Sequence, residues 1–472
     1  MKKTLLLATF VFVAIALHGK VRLPALFSDG VVLQQQTKVN FWGWAEKGKT
    51  VTVTPSWNKI GVRTTVAGDG KWALQLETPA TKAGVSWTIT VSDGEAVTIK
   101  DVLLGEVWVC SGQSNMGMPL SGTNGQPVRG SLQETLASAR YGDLIHVIDV
   151  PKTSSDTPLD NFEGKWLAAS PVNAPGFSAA AWFFARNVAD VLGIPVGIVT
   201  CAWGGSNIEA WMDEASVAKI ETPEELAALR TTARENQALS KLYKGMLNAI
   251  AGYTARGFVW YQGEANVKNP HQYAALMRDM VALWRQRWND AGNAMPFYYV
   301  QIAPYSYGDS NGTEAAKVVE AQINALKMIP NSGLAGTTDV GEEFCIHPAA
   351  KDVVGFRLAL LALRQTYAVL EGDVTGPLFK DVKFEKGTAK VTFTNVADGL
   401  YSPGKEVAGF EMAGRERVFY PATAVIRGAT VSVTCEKVAE PVAVRYAFRN
   451  FLLADLHNTR GLPAFPFRSD DW

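Results

Sequence analysis

The chain has 472 residues with 45 basic and 45 acidic side chains, so there is no electrostatic reason to expect nucleic acid or an anionic membrane surface as a partner. Hydrophobic residues make up 47%, enough for large cores, and the length suits two or three domains. The four cysteines have no close pairing and no zinc-like spacing. Buried thiols or one disulfide both fit, with thiols favoured for Cys110 and Cys201 because each ends an apolar strand.

Residues 1–19 have the pattern of a secretory signal: Lys2-Lys3, an apolar run from Leu5 to Leu17, then His18-Gly19. That run is short for a membrane span and no later run is long enough, so a secreted or periplasmic protein without membrane insertion is expected. Residues 20–101 read as a β-sandwich-like domain. Short alternating runs recur at 31–33, 39–42, 50–53, 72–76, 87–91 and 96–99, separated by Glu46-Lys47-Gly48, Gly68-Asp69-Gly70 and Ser92-Asp93-Gly94. Exposed Trp here has the chemistry to bind sugar, although a structural module beside an enzyme is the plainer expectation.

From residue 102 to about 372 the rhythm becomes strand then helix. Strands are expected at 102–109, 194–202, 257–261, 297–302 and 334–338. Helices are expected at 178–192, 214–251, 271–288, 314–328 and 349–369. The 178–192 helix should bury Ala181, Phe184, Val188 and Val191. Such alternation implies a doubly wound parallel sheet. Residues 373–472 return to strand-like runs with turns at Lys386-Gly387 and Arg427-Gly428, a C-terminal β domain with a loop-like tail.

The stretch VLLGEVWVCSGQSNM (102–116) organises this reading. It is an apolar strand ending abruptly in a turn that carries Ser114. A serine between a central strand and a helix sits where backbone N–H groups and the helix dipole favour negative charge, which suits a nucleophile and an oxyanion. Capping a helix is the ordinary role of such a serine. Other strands also end in polar, Gly-rich turns: Trp203-Gly204-Gly205-Ser206-Asn207, Gln262-Gly263-Glu264-Ala265-Asn266 and Asp339-Val340-Gly341-Glu342-Glu343, with His347-Pro348 beyond. Ligands of open parallel sheets bind outside the carboxyl ends of the strands. The convergence supplies a hydroxyl, backbone N–H groups, carboxamides and an imidazole, the parts of acyl transfer. Of the five histidines, only His347 follows a sheet strand and precedes a Pro-started helix; His146 reads as core and His271 as surface.

GQSNM (112–116), WGGSNIEAW (203–211), WYQGEAN (260–266) and DVGEEFCIHPAAK (339–351) resemble the sialate O-acetylesterase family of the SGNH hydrolases. The likeness extends through the flanking β segments to the RGLPAFPFRSDDW tail. The resemblance implies an SGNH-type α/β domain flanked by N-terminal and C-terminal β-sandwich-like regions, a serine nucleophile at Ser114, a catalytic His347 and no cofactor. It places Gly205, with Ser114 N–H, in the oxyanion hole, and makes Gln262 and Asn266 alternative carboxamide donors; Glu264 would order the loop carrying Asn266. One departure matters. Many SGNH enzymes place Asp three residues before the His, where this chain has Phe344. Asp339 is the favoured substitute, Glu342 the alternative, and a Ser–His dyad backed by a backbone carbonyl the third possibility. The implied function is removal of O-acetyl groups from sugars, sialic acid first. The rivals are an acetylesterase for plant polysaccharide such as xylan or pectin, and a non-catalytic carbohydrate-binding protein.

Overall fold

The computed structural model describes residues 20–123 and 125–472; the expected signal at 1–19 lies outside the described residues. The N-terminal region contains β1 (Val32–Gln34), β2 (Lys38–Trp44), β3 (Thr50–Pro55), β4 (Val62–Thr65), β5 (Lys71–Glu77) and β6 (Trp87–Ser92). β2 and β5 form an antiparallel ribbon, and β3 pairs with β4 and β6. Alternation along β2 and β3 buries Val39, Phe41, Val51 and Val53.

β6 pairs with β7 (Ala96–Gly112), a single 17-residue strand where the sequence suggested two runs. Exposure is mixed up to Asp101 and burial is complete from Val102 onward, because only the second part is covered on both faces. The expected boundary after residue 101 therefore falls inside one strand, at a residue in left-handed conformation (Asp101, φ 52°). The N-terminal ladder and the central sheet form one mixed sheet of 11 strands.

The central strands are β8 (Ile145–Asp149), β9 (Leu167–Ala168), β10 (Val196–Ala202), β11 (Gly257–Tyr261), β12 (Phe297–Val300) and β13 (Ser332–Ala335). Their order is β13-β12-β11-β7-β10-β8-β9. The pairs from β13 to β8 are parallel and β9 is an antiparallel edge. The chain lays β8 and β9 on one side of β7, returns to insert β10 between β8 and β7, then builds β11 to β13 outward on the other side. β7 is thus the topological switch point, and its carboxyl end opens on the crevice where such sheets bind ligands.

The helices are α1 (Ser114–Gly117), α2 (Ser131–Ala137), α3 (Ala179–Leu192), α4 (Glu214–Val217), α5 (Pro223–Thr231), α6 (Tyr273–Arg287), α7 (Glu314–Met328) and α8 (Lys351–Leu361). α3 and α8 cover one face of the sheet with Trp108, Cys110 and Tyr298; α6 and α7 cover the other with Val109, Phe258 and Tyr299. Successive β7 side chains enter opposite cores, which is why the strand reads as an unbroken apolar run. Ser178 caps α3 by accepting the Ala181 N–H. α3 buries Ala181, Phe184 and Val188, but Val191, one residue from its end, is exposed.

The helix expected at 214–251 is broken. α4 and α5 are followed by a 3-10 turn at Glu235–Gln237, a π turn at Tyr243–Leu247 and a 3-10 turn at Asn248–Ile250. Thr232 is extended and Ser240 left-handed (φ 61°), so no single helical face forms. α5 does carry a Thr222 capping box with Pro223 at its start.

Two four-stranded antiparallel sheets after residue 377 enclose a further core containing Val391, Phe410, Val431 and Tyr446. The tail returns to the α/β region, where Arg468 pairs with Glu320 of α7 at 2.8 Å. All four cysteines are free thiols, with Cys110 and Cys201 buried.

Candidate active site

Ser114 opens α1 immediately beyond β7. The sharp turn before it requires Gly112: its φ is 139°, and a Cβ there would lie 2.1 Å from Tyr261 O on the adjacent strand. Gln113 Oε1 accepts the N–H groups of Gly263 and Ala265 at 3.4 and 3.3 Å, holding the turn after β11 beside the turn after β7.

His347 lies in the loop between β13 and α8, and its Nε2 is 2.7 Å from Ser114 Oγ. Its Nδ1 hydrogen-bonds Gln126 Oε1. A proton on Nδ1, donated to the carboxamide oxygen, leaves Nε2 bare to accept from the serine hydroxyl. Gln126 stands in a small hairpin where Thr123 N–H donates to Gln126 O at 3.0 Å and Gln126 N–H donates to Thr123 O at 2.7 Å.

Asp339 does not fill the place behind His347. Arg357 of α8 takes both its oxygens at 2.7 Å, and His457 Nε2 lies 3.7 Å away. Burial pushes this carboxyl upward, but Arg357 and His457 outweigh it and hold it well below the ordinary carboxylate range. The end of β13 thus presents Asp339 to a buried guanidinium rather than to the imidazole. Glu342 is also engaged elsewhere, accepting the Ala349 N–H at 2.8 Å. Phe344 is 84% exposed.

After β10, a Cβ on Gly204 would lie 3.2 Å from Ser114 Cβ, so this turn adjoins the serine. Gly205 has φ 71°. Asn236 Nδ2 donates to Gly204 O at 2.7 Å and Gln237 Nε2 to Gly205 O at 2.8 Å. With both carbonyls held, the N–H groups of Ser114 and Gly205 have no acceptor among the described residues, the arrangement of an oxyanion site.

The two carboxamides expected as a further donor are occupied. Gln262 Nε2 donates to Ser206 O (3.0 Å) and Asn266 Oδ1 (2.8 Å), and Gln262 Oε1 accepts from Tyr273 OH (2.8 Å). Asn266 Oδ1 also accepts the Ile208 N–H at 3.1 Å, and its Nδ2 donates to both oxygens of Glu209 at 3.0 and 3.1 Å. Both side chains join the turns after β10 and β11 instead of pointing an N–H at the serine. Glu209 is itself buried, so the Asn266 amide is held by a carboxylate that needs donors.

Glu264 ties its loop to the turn that carries Ser114. Asn115 Nδ2 donates to Glu264 Oε1 and to Ile346 O (3.0 Å), while Asn115 Oδ1 accepts from Lys351 Nζ at 2.7 Å. Lys351 is fully buried and also donates to Pro348 O at 2.9 Å. Burial raises the Glu264 carboxyl and pulls the Lys351 ammonium down to about 8 against the opposing effect of Glu264. Burial first, and the Lys351 cation second, hold His347 below the usual imidazole value.

Gln126, Asn236, Gln237 and Lys351 are missing from the sequence reading. Lys351 had a weak signal, a lysine opening a largely apolar helix; the three carboxamides had none, since they act through single polar atoms on loops. His146 is a core residue, its ring nitrogens 2.6 and 2.9 Å from Gly30 O and Gly142 O.

Residues 104–363 match the family described as carbohydrate esterase, sialic acid-specific acetylesterase. A sialate O-acetylesterase from Homo sapiens is 25% identical over 406 residues, covering 79% of this chain and 76% of the relative. One from Mus musculus is 24% identical, covering 94% of both. A solved carbohydrate acetylesterase from Xanthomonas citri superposes with a TM-score of 0.87 at 34% identity, over 96% of this chain and 100% of that one. With more than half the chain matched and a strand-end site built around Ser114, the protein belongs to the sialic acid-specific acetylesterase family of carbohydrate esterases.

Proposed function

We propose that the protein removes O-acetyl groups from sialic acid and related sugars through an SGNH-type serine mechanism. The observation that carries the reading is the 2.7 Å approach of His347 Nε2 to Ser114 Oγ. His347 takes the Ser114 proton as Oγ attacks the acetyl carbonyl, and the Nδ1 bond to Gln126 keeps the ring in the required tautomer. Negative charge develops on the former carbonyl oxygen beside the Ser114 and Gly205 N–H groups. The C–O bond to the sugar then breaks, and the sugar oxygen receives its proton from the imidazolium. Water attacks the acetyl-serine by the same route, releasing acetate and restoring Ser114.

Ser114→Ala and His347→Ala should each lower 4-nitrophenyl acetate turnover by about 10³-fold or more while the proteins remain folded. Near-normal turnover in either folded variant refutes the mechanism. The relative from Xanthomonas citri is named only as a carbohydrate acetylesterase, which favours a second reading with a broader sugar range. Acetate release from 9-O-acetylated sialic acid compared with acetylated xylan separates the two.

A further inference from the structure

The β2–β5 ribbon and the α/β region enclose a cleft of about 460 Å³ that none of Ser114, Gly205 and His347 lines. Its size lies within the range of small-ligand pockets. Its floor is aromatic. Trp42 and Trp44 fall on one face of β2, alternating with the buried Phe41. Phe27 backs Trp42 edge-on at 4.7 Å, and Arg22 stacks on Trp44 at 5.5 Å. Across the ladder Trp42 faces Ala73, whose methyl group is too small to cover an indole. Trp72 pairs across the ladder with Gly43 and is 3% exposed, so its ring lies on the buried Phe41 face of the ribbon and backs the floor from behind.

The rim is polar without a surplus of either charge. Lys71 bonds Asp160 at 2.6 Å, Arg287 bonds Asn248 at 2.6 Å, and Asp69 lies beside Lys71. An apolar floor with a few convergent polar groups is the composition of a ligand site. We infer that this cleft is a second carbohydrate site that holds a short stretch of a neutral pyranose chain. The C–H face of the sugar stacks on the Trp42 and Trp44 indoles, and the rim groups meet the outer hydroxyls. Two cations, Lys71 and Arg287, and two carboxylates, Asp69 and Asp160, leave the rim without net charge, which points to a neutral chain. The site would hold a polymeric substrate outside the acetyl-cleaving crevice.

The test is titration of the full chain with unacetylated xylotetraose and cellotetraose, followed by tryptophan fluorescence. Saturable binding is expected for at least one of them. Ala73→Phe, which fills the space beside Trp42 and removes no packing, should weaken that binding about tenfold or more and leave 4-nitrophenyl acetate turnover unchanged. Trp42→Ala should do the same. No binding to wild type, or undiminished binding to Ala73→Phe, overturns the proposal, as does equal affinity for an oligogalacturonate. Binding and turnover are read separately, so failure of this site leaves the esterase reading standing.

Discussion

Gln126 presents a neutral oxygen where many serine hydrolases present a carboxylate. It can fix the imidazole tautomer, but it offers the imidazolium no opposite charge. Combined with burial and the nearby Lys351, this keeps His347 below its usual value of 6.5. The proposed mechanism needs His347 unprotonated, so the acid limb of the kcat/KM–pH profile should fall below that value. Gln126→Glu places a carboxylate against the ring and should move that limb upward by about one to two pH units. Gln126→Ala should cost about 10²-fold in kcat/KM without lowering Tm appreciably. At this scale the meeting of Ser114 and His347 was legible, because each sits beyond a recognisable strand. Gln126 was not: a carboxamide acting through its oxygen has no pattern of its own, and it lies in a stretch with loop composition. The acids near His347 were misleading, since nothing local announces that Arg357 claims Asp339.

The turn after β10 shows the same lesson for elements. Its place followed from the strand pattern, but its support did not. Asn236 and Gln237 come from a segment that reads as one long helix and is folded as short turns, because Thr232 and Ser240 leave helical geometry. That break is what brings two amides to the carbonyls of Gly204 and Gly205. Asn236→Ala should therefore lower kcat about tenfold, with KM for 4-nitrophenyl acetate and Tm little changed. A purely structural role would lower Tm and leave kcat intact. α5 shows the opposite case: its Thr222-Pro223-Glu224-Glu225 start carries a cap signal in the residues themselves, and the capping box forms there.

Across the whole molecule, the α/β centre and its β-rich flanks followed from the spacing of strands, helices and turns. The contacts that clamp these regions did not, because they join residues far apart in the chain. Asp339, Arg357 and His457 form one such clamp between the sheet, α8 and the C-terminal region. Asp339→Asn leaves the largely buried Arg357 without its partner and should cost about 3 kcal/mol in unfolding free energy, with kcat close to wild type. Denaturant titration and initial rates check both halves. The sign with pH follows from a folded-state value below the unfolded 3.8: the clamp stabilises above 3.8 and is lost as pH falls through the lower folded value. The N-terminal region is joined differently, through the uninterrupted backbone of β7. Cutting at residue 101 would not excise an accessory module; it would fray the beam whose far tip holds the Ser114 hydroxyl, so the leading β layer serves as part of that site's chassis.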